Sequence, residues 1–95
     1  MKKLEIILSQ AIDEDFLHDC AVMKVAQHYT KTVGVQGRGF CFPKMGDDVW
    51  PQLNNHYMII VQDDEVDGIK RIVTHLRGLY PEEGIACFMS DVEEL

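Results

Sequence analysis

Three glycines and one arginine stand close together near the middle of the chain, and these residues are suited to binding a small ligand. Gly34, Gly37 and Gly39 fall within six residues, and Arg38 lies between the last two. Glycine permits left-handed turns and a close approach of backbone N–H groups to a ligand. A guanidinium group pairs well with a phosphate or a carboxylate. The segment predicts either an anion-binding loop or a hairpin bulge, and the glycines alone favour neither interpretation.

A long segment without hydrophobic periodicity follows, at about residues 43–55, and contains Lys44, Asp47, Asp48 and Trp50. Loops of this length in a compact domain are usually functional or disordered. A single tryptophan beside a proline either covers the sheet or anchors a partner. We predict that these four residues report ligand occupancy to a protein partner, and both roles stay open for Trp50.

The sequence contains no recognisable catalytic or metal-binding motif. Cys20, Cys41 and Cys87 lack a C-x-x-C pairing, and the histidines lack ligand spacing. We expect the cysteines to be small core residues. Cys41 and His56 flank the central loop, so a metal site across a hairpin is an alternative. No nucleophile–base pair stands at a familiar spacing, and we therefore expect no enzyme.

Composition limits the class of protein further. Ninety-five residues suit a single domain, 1–95, with one core. The net charge of −7 argues against nucleic acid as the main partner, because phosphate binding needs a basic surface. No apolar run approaches the roughly 20 residues of a membrane span. The N-terminus lacks the apolar segment of a signal peptide, so we expect a cytoplasmic protein.

The hydrophobic pattern indicates two similar half-units, each with a strand, a helix and a second strand. The predicted strands are Lys3–Ser9, Thr30–Phe42, Tyr57–Gln62 and Ile85–Ser90, and the predicted helices are Asp13–His28 and Asp64–Tyr80. We expect Asp13, and Asp63 or Asp64, to cap the helices. The order βαββαβ predicts an α+β ferredoxin-like sandwich, in which two helices cover one face of a four-stranded antiparallel sheet.

The other face of this sheet is also predicted to be apolar. It carries large apolar side chains at Ile7, Met58, Ile60 and Phe88, where a solvated face would alternate with polar residues. A contiguous apolar patch of this kind marks an interface. We therefore expect a closed homo-oligomer that buries this face.

Several stretches resemble the PII signalling family. These are Lys3–Ile7, the strand ending in Gly37-Arg38, the strand Tyr57–Asp63 and the closing stretch Glu83–Glu94. The resemblance implies a ferredoxin-like homotrimer that senses a small-molecule effector between subunits and signals to a membrane transporter or an enzyme through its central loop. It places the ligand near Gly37, Arg38 and Gly39, against the Glu83-Gly84 turn of a neighbouring subunit.

The chain also departs from the PII pattern, which bears on the ligand. Gly39 replaces a glutamine that helps to hold magnesium and 2-oxoglutarate in the family. Gly84 matches the phosphate loop, but Ile85 replaces its lysine, and Glu82 and Glu83 would repel phosphates. The sequence also stops at Leu95 without the family's basic C-terminal segment. We expect weak or no ATP binding and identify no cofactor. The alternative is a metal-handling trimer similar to the copper-tolerance CutA proteins, using Cys41, His56 or the acidic loop.

Overall fold

The computed structural model describes residues 1–95 and confirms the predicted ferredoxin-like βαββαβ order. The elements are β1 (Lys2–Ser9), α1 (Asp13–Met23), β2 (Tyr29–Val35), β3 (Asn54–Val61), α2 (Val66–Leu79) and β4 (Ile85–Asp91). A short 3-10 turn precedes each helix, at Gln10–Ile12 and at Asp63–Glu65. Neither helix has the length and the apolar character that a membrane span requires.

The four strands form one sheet in the order β2-β3-β1-β4, and every neighbouring pair is antiparallel. Each helix connects two parallel strands across the strand between them, and both helices pack on the same face. Side chains from β1, β3 and the helices form the core there. Its fully buried members include Leu4, Ile6, Leu8, Ile12, Phe16, Tyr57, Ile59, Ile69, Ile72 and Leu76. The apolar stripe predicted for α2 is confirmed at Ile69, Val73 and Leu76.

The first helix is shorter than predicted and ends at Met23 instead of His28. Lys24 and Ala26 adopt positive φ angles of 56° and 53°, so the chain leaves helical geometry at once. This turn carries Val25 and Ala26 into the core. The Ala26 N–H donates to the Glu65 carboxylate at 3.1 Å, which ties the turn to the start of α2.

Asp13 is not the predicted cap but a buried acceptor at the start of α1. Its carboxylate accepts hydrogen bonds from the Tyr57 hydroxyl at 2.6 Å and from the Lys31 ammonium at 2.7 Å. Burial alone would raise the pKa of Asp13, but the hydrogen bonds from Lys31, Tyr57 and Asn55 outweigh it and hold that pKa below its ordinary value. Ser9 caps the preceding 3-10 turn instead, by accepting from the Ala11 N–H.

The second predicted cap is also different. Neither Asp63 nor Asp64 caps the second helical segment. Gln62 and Glu65 form a capping box around the 3-10 turn, in which each side chain satisfies a backbone N–H near the other residue.

The face of the sheet away from the helices is uncovered in a single chain, and we call it the open face. Cross-strand register places Ile7 beside Ala86, and Glu5 between Met58 and Phe88. The side chain of Phe88 is 65% exposed. The apolar open face predicted from strand alternation is therefore present.

Candidate functional site

A cavity of about 510 Å³ opens at one end of the open face. One wall comes from the sheet, including Ile7, His56 and Phe88. The other wall comes from residues 35–42 and from Gly84, which precedes β4. The cavity therefore lies where the open face meets the segment that follows β2.

All four residues predicted to bind the ligand line this cavity: Gly37, Arg38, Gly39 and Gly84. The resemblance implied that Gly84 would come from a neighbouring subunit. The structure differs, because Gly84 of the same chain lies beside residues 37–39. A Cβ atom added to Gly84 would stand 3.9 Å from the Cys41 Cβ, so the two segments are in direct contact.

The segment after β2 turns over the cavity because the strand is interrupted at Gly34. The β2–β3 register shifts between Val33 and Val35, and Gly34 has a φ of 75°. The Asn55 side chain holds this bulge by accepting the Gly34 N–H at 3.1 Å. The predicted strand to Phe42 is therefore wrong beyond Val35, since a bulge redirects the chain.

Residues 37–44 form a small hairpin that carries Arg38 at the cavity wall. Gly37 and Lys44 exchange two backbone hydrogen bonds, each of 2.8 Å. Gly37 cannot be replaced without movement, because an added Cβ would lie 2.5 Å from the Asn54 side-chain nitrogen. An added Cβ on Gly39 would meet nothing within 4 Å. Close packing therefore explains the first glycine, whereas the second borders open space.

The cavity wall is positively charged although the chain has a net charge of −7. Its ionisable lining includes Arg38, Lys44 and His56 and contains no aspartate or glutamate. His56 Nε2 lies 2.7 Å from the Glu5 carboxylate, and Lys44 Nζ lies 3.1 Å from that of Glu83. Arg38 forms no ion pair in the chain. An anion in the cavity would meet one uncompensated guanidinium.

Lys44 is buried rather than displayed to a partner, as the sequence analysis had proposed. The residue is only 4% exposed, and its ammonium also contacts the Gln52 side chain. Sequence reasoning missed this pair because Glu83 lies 39 residues away. The structure also corrects the expectation for Glu83, whose charge is balanced by Lys44. The hydrogen bond from Ser9, with that from Lys44, outweighs burial and holds the pKa of Glu83 below its ordinary value.

The remainder of the central loop is organised by its own hydrogen bonds. Asp47 accepts the N–H groups of Val49 at 3.0 Å and Trp50 at 2.6 Å, so its carboxylate shapes the turn. The Trp50 ring stacks on Phe42 with centroids 6.0 Å apart and an interplanar angle of 27°. Trp50 is 37% exposed and is not part of the core. Asp48 is exposed on the same turn.

Cys41 and His56 both line the cavity, so the structure brings together the two residues of the alternative metal site. No group of three or more His, Cys, Asp and Glu side chains is arranged to hold a metal ion. The other cysteines pack with the core, as predicted. Burial, with a smaller effect of Asp19, raises the pKa of the Cys20 thiol to about 12, which keeps it protonated.

The fold matches solved structures of PII-like proteins. CPII, a nitrogen regulatory PII-like protein from Thiomonas intermedia K12 solved with ADP, AMP and bicarbonate, matches with a TM-score of 0.74 and 20% identity, over 96% of this chain and 84% of that chain. CPII with ADP, AMP and acetate matches with a TM-score of 0.65 and 17% identity, over 98% and 88% of the two chains. A putative PII-like signalling protein from Thermus thermophilus gives 0.61 and 20%, over 96% and 84%.

No family model and no curated protein matches the sequence. The comparisons therefore rest on structure, and at these identities they establish the PII-like fold of the chain. This agrees with the fold implied by the sequence resemblance.

The stacking of Trp50 on Phe42 outside the core leads to a prediction about stability. We expect Trp50→Ala to lower the free energy of unfolding by about 1 kcal/mol or less, whereas truncating a core tryptophan costs about 3–5 kcal/mol. Urea denaturation followed by far-UV circular dichroism measures the difference. Phe16→Ala, which truncates a core aromatic that is 1% exposed, is the reference for a large loss. A loss of about 3 kcal/mol or more for Trp50→Ala would show that this tryptophan is structural.

Proposed function

We propose that this chain is a cytoplasmic, non-catalytic PII-like regulator that binds a small anion in the cavity. One observation carries the proposal: in an acidic chain, the cavity wall combines Arg38 with the glycines at 37, 39 and 84 and has no carboxylate. Glycine backbone N–H groups and a guanidinium are the donors that proteins use for carboxylates and similar anions.

The charge balance favours a small monoanion, such as a carboxylate or bicarbonate. Arg38 provides a single uncompensated positive charge, since Lys44 and His56 are paired with carboxylates. The structural neighbours support this class of ligand, because CPII has been solved with bicarbonate and with acetate. A nucleoside triphosphate would place several negative charges near that one free cation and near Glu82. We therefore retain weak or absent ATP binding as a prediction.

The open face supports a homotrimer, the assembly that the PII resemblance implies. Ile60 and Phe88 are 40% and 65% exposed in the single chain, and burying them in an interface would be favourable. The cavity opens beside this face, so a neighbouring subunit would complete its outer wall. The ligand would then bind in a cleft between subunits.

Signalling would pass from the cavity to the central loop. The backbone of Lys44 is bonded to Gly37 at the cavity, and its ammonium contacts Gln52 two residues after Trp50. Movement of the hairpin on binding would therefore shift the turn that displays Asp48 and Trp50. A transporter or enzyme that contacts this turn would detect the change.

The anion site is tested by calorimetric titration with sodium acetate, sodium bicarbonate and ATP. We expect the wild-type protein to bind acetate or bicarbonate, and Arg38→Ala to weaken that binding by about 10- to 100-fold, the value of a charged hydrogen bond. Arg71→Ala, on the exposed side of α2, is the matched control and should bind normally. No binding of either monoanion by the wild-type protein, or a micromolar dissociation constant for ATP, would contradict the proposal.

The same titrations with zinc and copper ions test the metal-handling alternative. Cys41 and His56 lining one cavity favour that alternative. Tight metal binding that is lost in Cys41→Ser, without binding of monoanions, would replace the anion proposal.

The oligomer is tested by analytical ultracentrifugation of an open-face variant. We expect the wild-type protein to sediment as a trimer at micromolar concentration. Ile60→Asp should dissociate it, because an unpaired buried charge costs about 3–5 kcal/mol. The control is Leu79→Asp, at a residue on α2 that is 56% exposed and should leave the trimer intact. A monomeric wild-type protein would contradict the proposed assembly.

A further inference from the structure

Lys44 is a buried cation whose hydrogen bonds are incomplete. Its side chain is 5% exposed, and its ammonium donates to Gln52 and, at 3.1 Å, to Glu83. An ammonium group has three N–H donors, and a buried donor without an acceptor is costly. The third donor of Lys44 has no acceptor in the chain, and Lys44 lines the cavity.

Glu83 balances the charge of Lys44 without forming part of the cavity wall. Its carboxylate contacts Lys44, but Glu83 is not among the residues that line the cavity. A ligand would therefore meet Lys44 as a hydrogen-bond donor whose positive charge is already compensated. Arg38, which has no such partner, supplies the net charge.

We propose that Lys44 is a second ligand-binding residue of the cavity, which donates its third N–H to a bound anion, and that Glu83 restricts the site to monoanions. This inference rests on the proposed anion-binding function and assigns Lys44 a role different from the partner contact predicted from the sequence. The chemical class of the ligand is a small carboxylate or bicarbonate. A dianion is rejected because its second charge has no uncompensated cation to pair with in a partly desolvated site.

The competing explanation is that Lys44 only braces the hairpin against the turn before β4. The two explanations differ in their effect on ligand selectivity. A brace affects folding and treats all anions alike, whereas a binding residue controlled by Glu83 affects the preference between monoanions and dianions.

The preference is measured by titrating acetate and sulfate into the full-length protein at constant ionic strength. We expect Glu83→Gln to raise the ratio of sulfate to acetate affinity by about tenfold or more, because an uncompensated ammonium becomes available. Glu82→Gln removes the adjacent exposed carboxylate and should change the ratio by less than about twofold, as expected for a solvent-screened charge. An equal response of the two variants would overturn the role of Glu83.

A second variant tests Lys44 directly and keeps the protein folded. Lys44→Met combined with Glu83→Gln removes both charges, so no buried carboxylate is left unpaired. We expect this double variant to keep its circular dichroism spectrum and to bind acetate about tenfold more weakly or worse. Acetate binding equal to that of the wild type would refute Lys44 as a ligand-binding residue while leaving the proposed function intact.

The two proposals can fail separately. If the wild-type protein binds neither acetate nor bicarbonate, the proposed function fails. In that case, sulfate binding by Glu83→Gln but not by Glu82→Gln would still support a cavity-facing Lys44 masked by Glu83. Absence of sulfate binding in both variants would overturn that inference as well.

Discussion

The structure depends on one constraint: two helices can cover only one face of a four-stranded sheet. Both helices come from crossovers on the same side, so Leu4, Ile6 and Tyr57 are buried while Phe88 on the opposite face is 65% exposed. The exposed apolar surface favours association with further copies of the chain. It also explains the position of the cavity, because the segment after β2 can only fold against surface that the helices leave free.

Within the cavity, the pairing of charges determines which ligand the protein can hold. The chain carries a net charge of −7, but its carboxylates are kept out of the cavity wall. Glu83 and Glu5 instead neutralise the cations Lys44 and His56 from positions outside the cavity lining. Arg38 is left as the one charge that a ligand must match. The same Lys44 joins the hairpin to the central loop, so ligand recognition and the proposed signalling share a residue.

Local patterns predicted most of the fold, whereas long-range contacts accounted for the errors. The alternation of the strands and the stripe of α2 follow from burial of one face, which the sequence displays directly. The end of α1 was missed because Lys24 and Ala26, not glycines, adopt positive φ. Asp13 has the residue type of a helix cap, but Lys31 and Tyr57 convert it into a buried acceptor. The site residues 37–39 and 84 could be predicted from residue type and from the PII resemblance. The burial of Lys44 depends on a partner 39 residues away, which no local spacing indicates.

The central claim is that the cavity is the site where the protein binds a small anion. Backbone amide NMR of the uniformly ¹⁵N-labelled protein during an acetate titration tests it at individual residues. The account predicts saturable shifts of the N–H signals of Gly37, Gly39 and Gly84, with little change at Val22 and His75, which line the groove between the helices. Saturable shifts confined to that groove, or no saturable shift at the three glycines, would contradict the account.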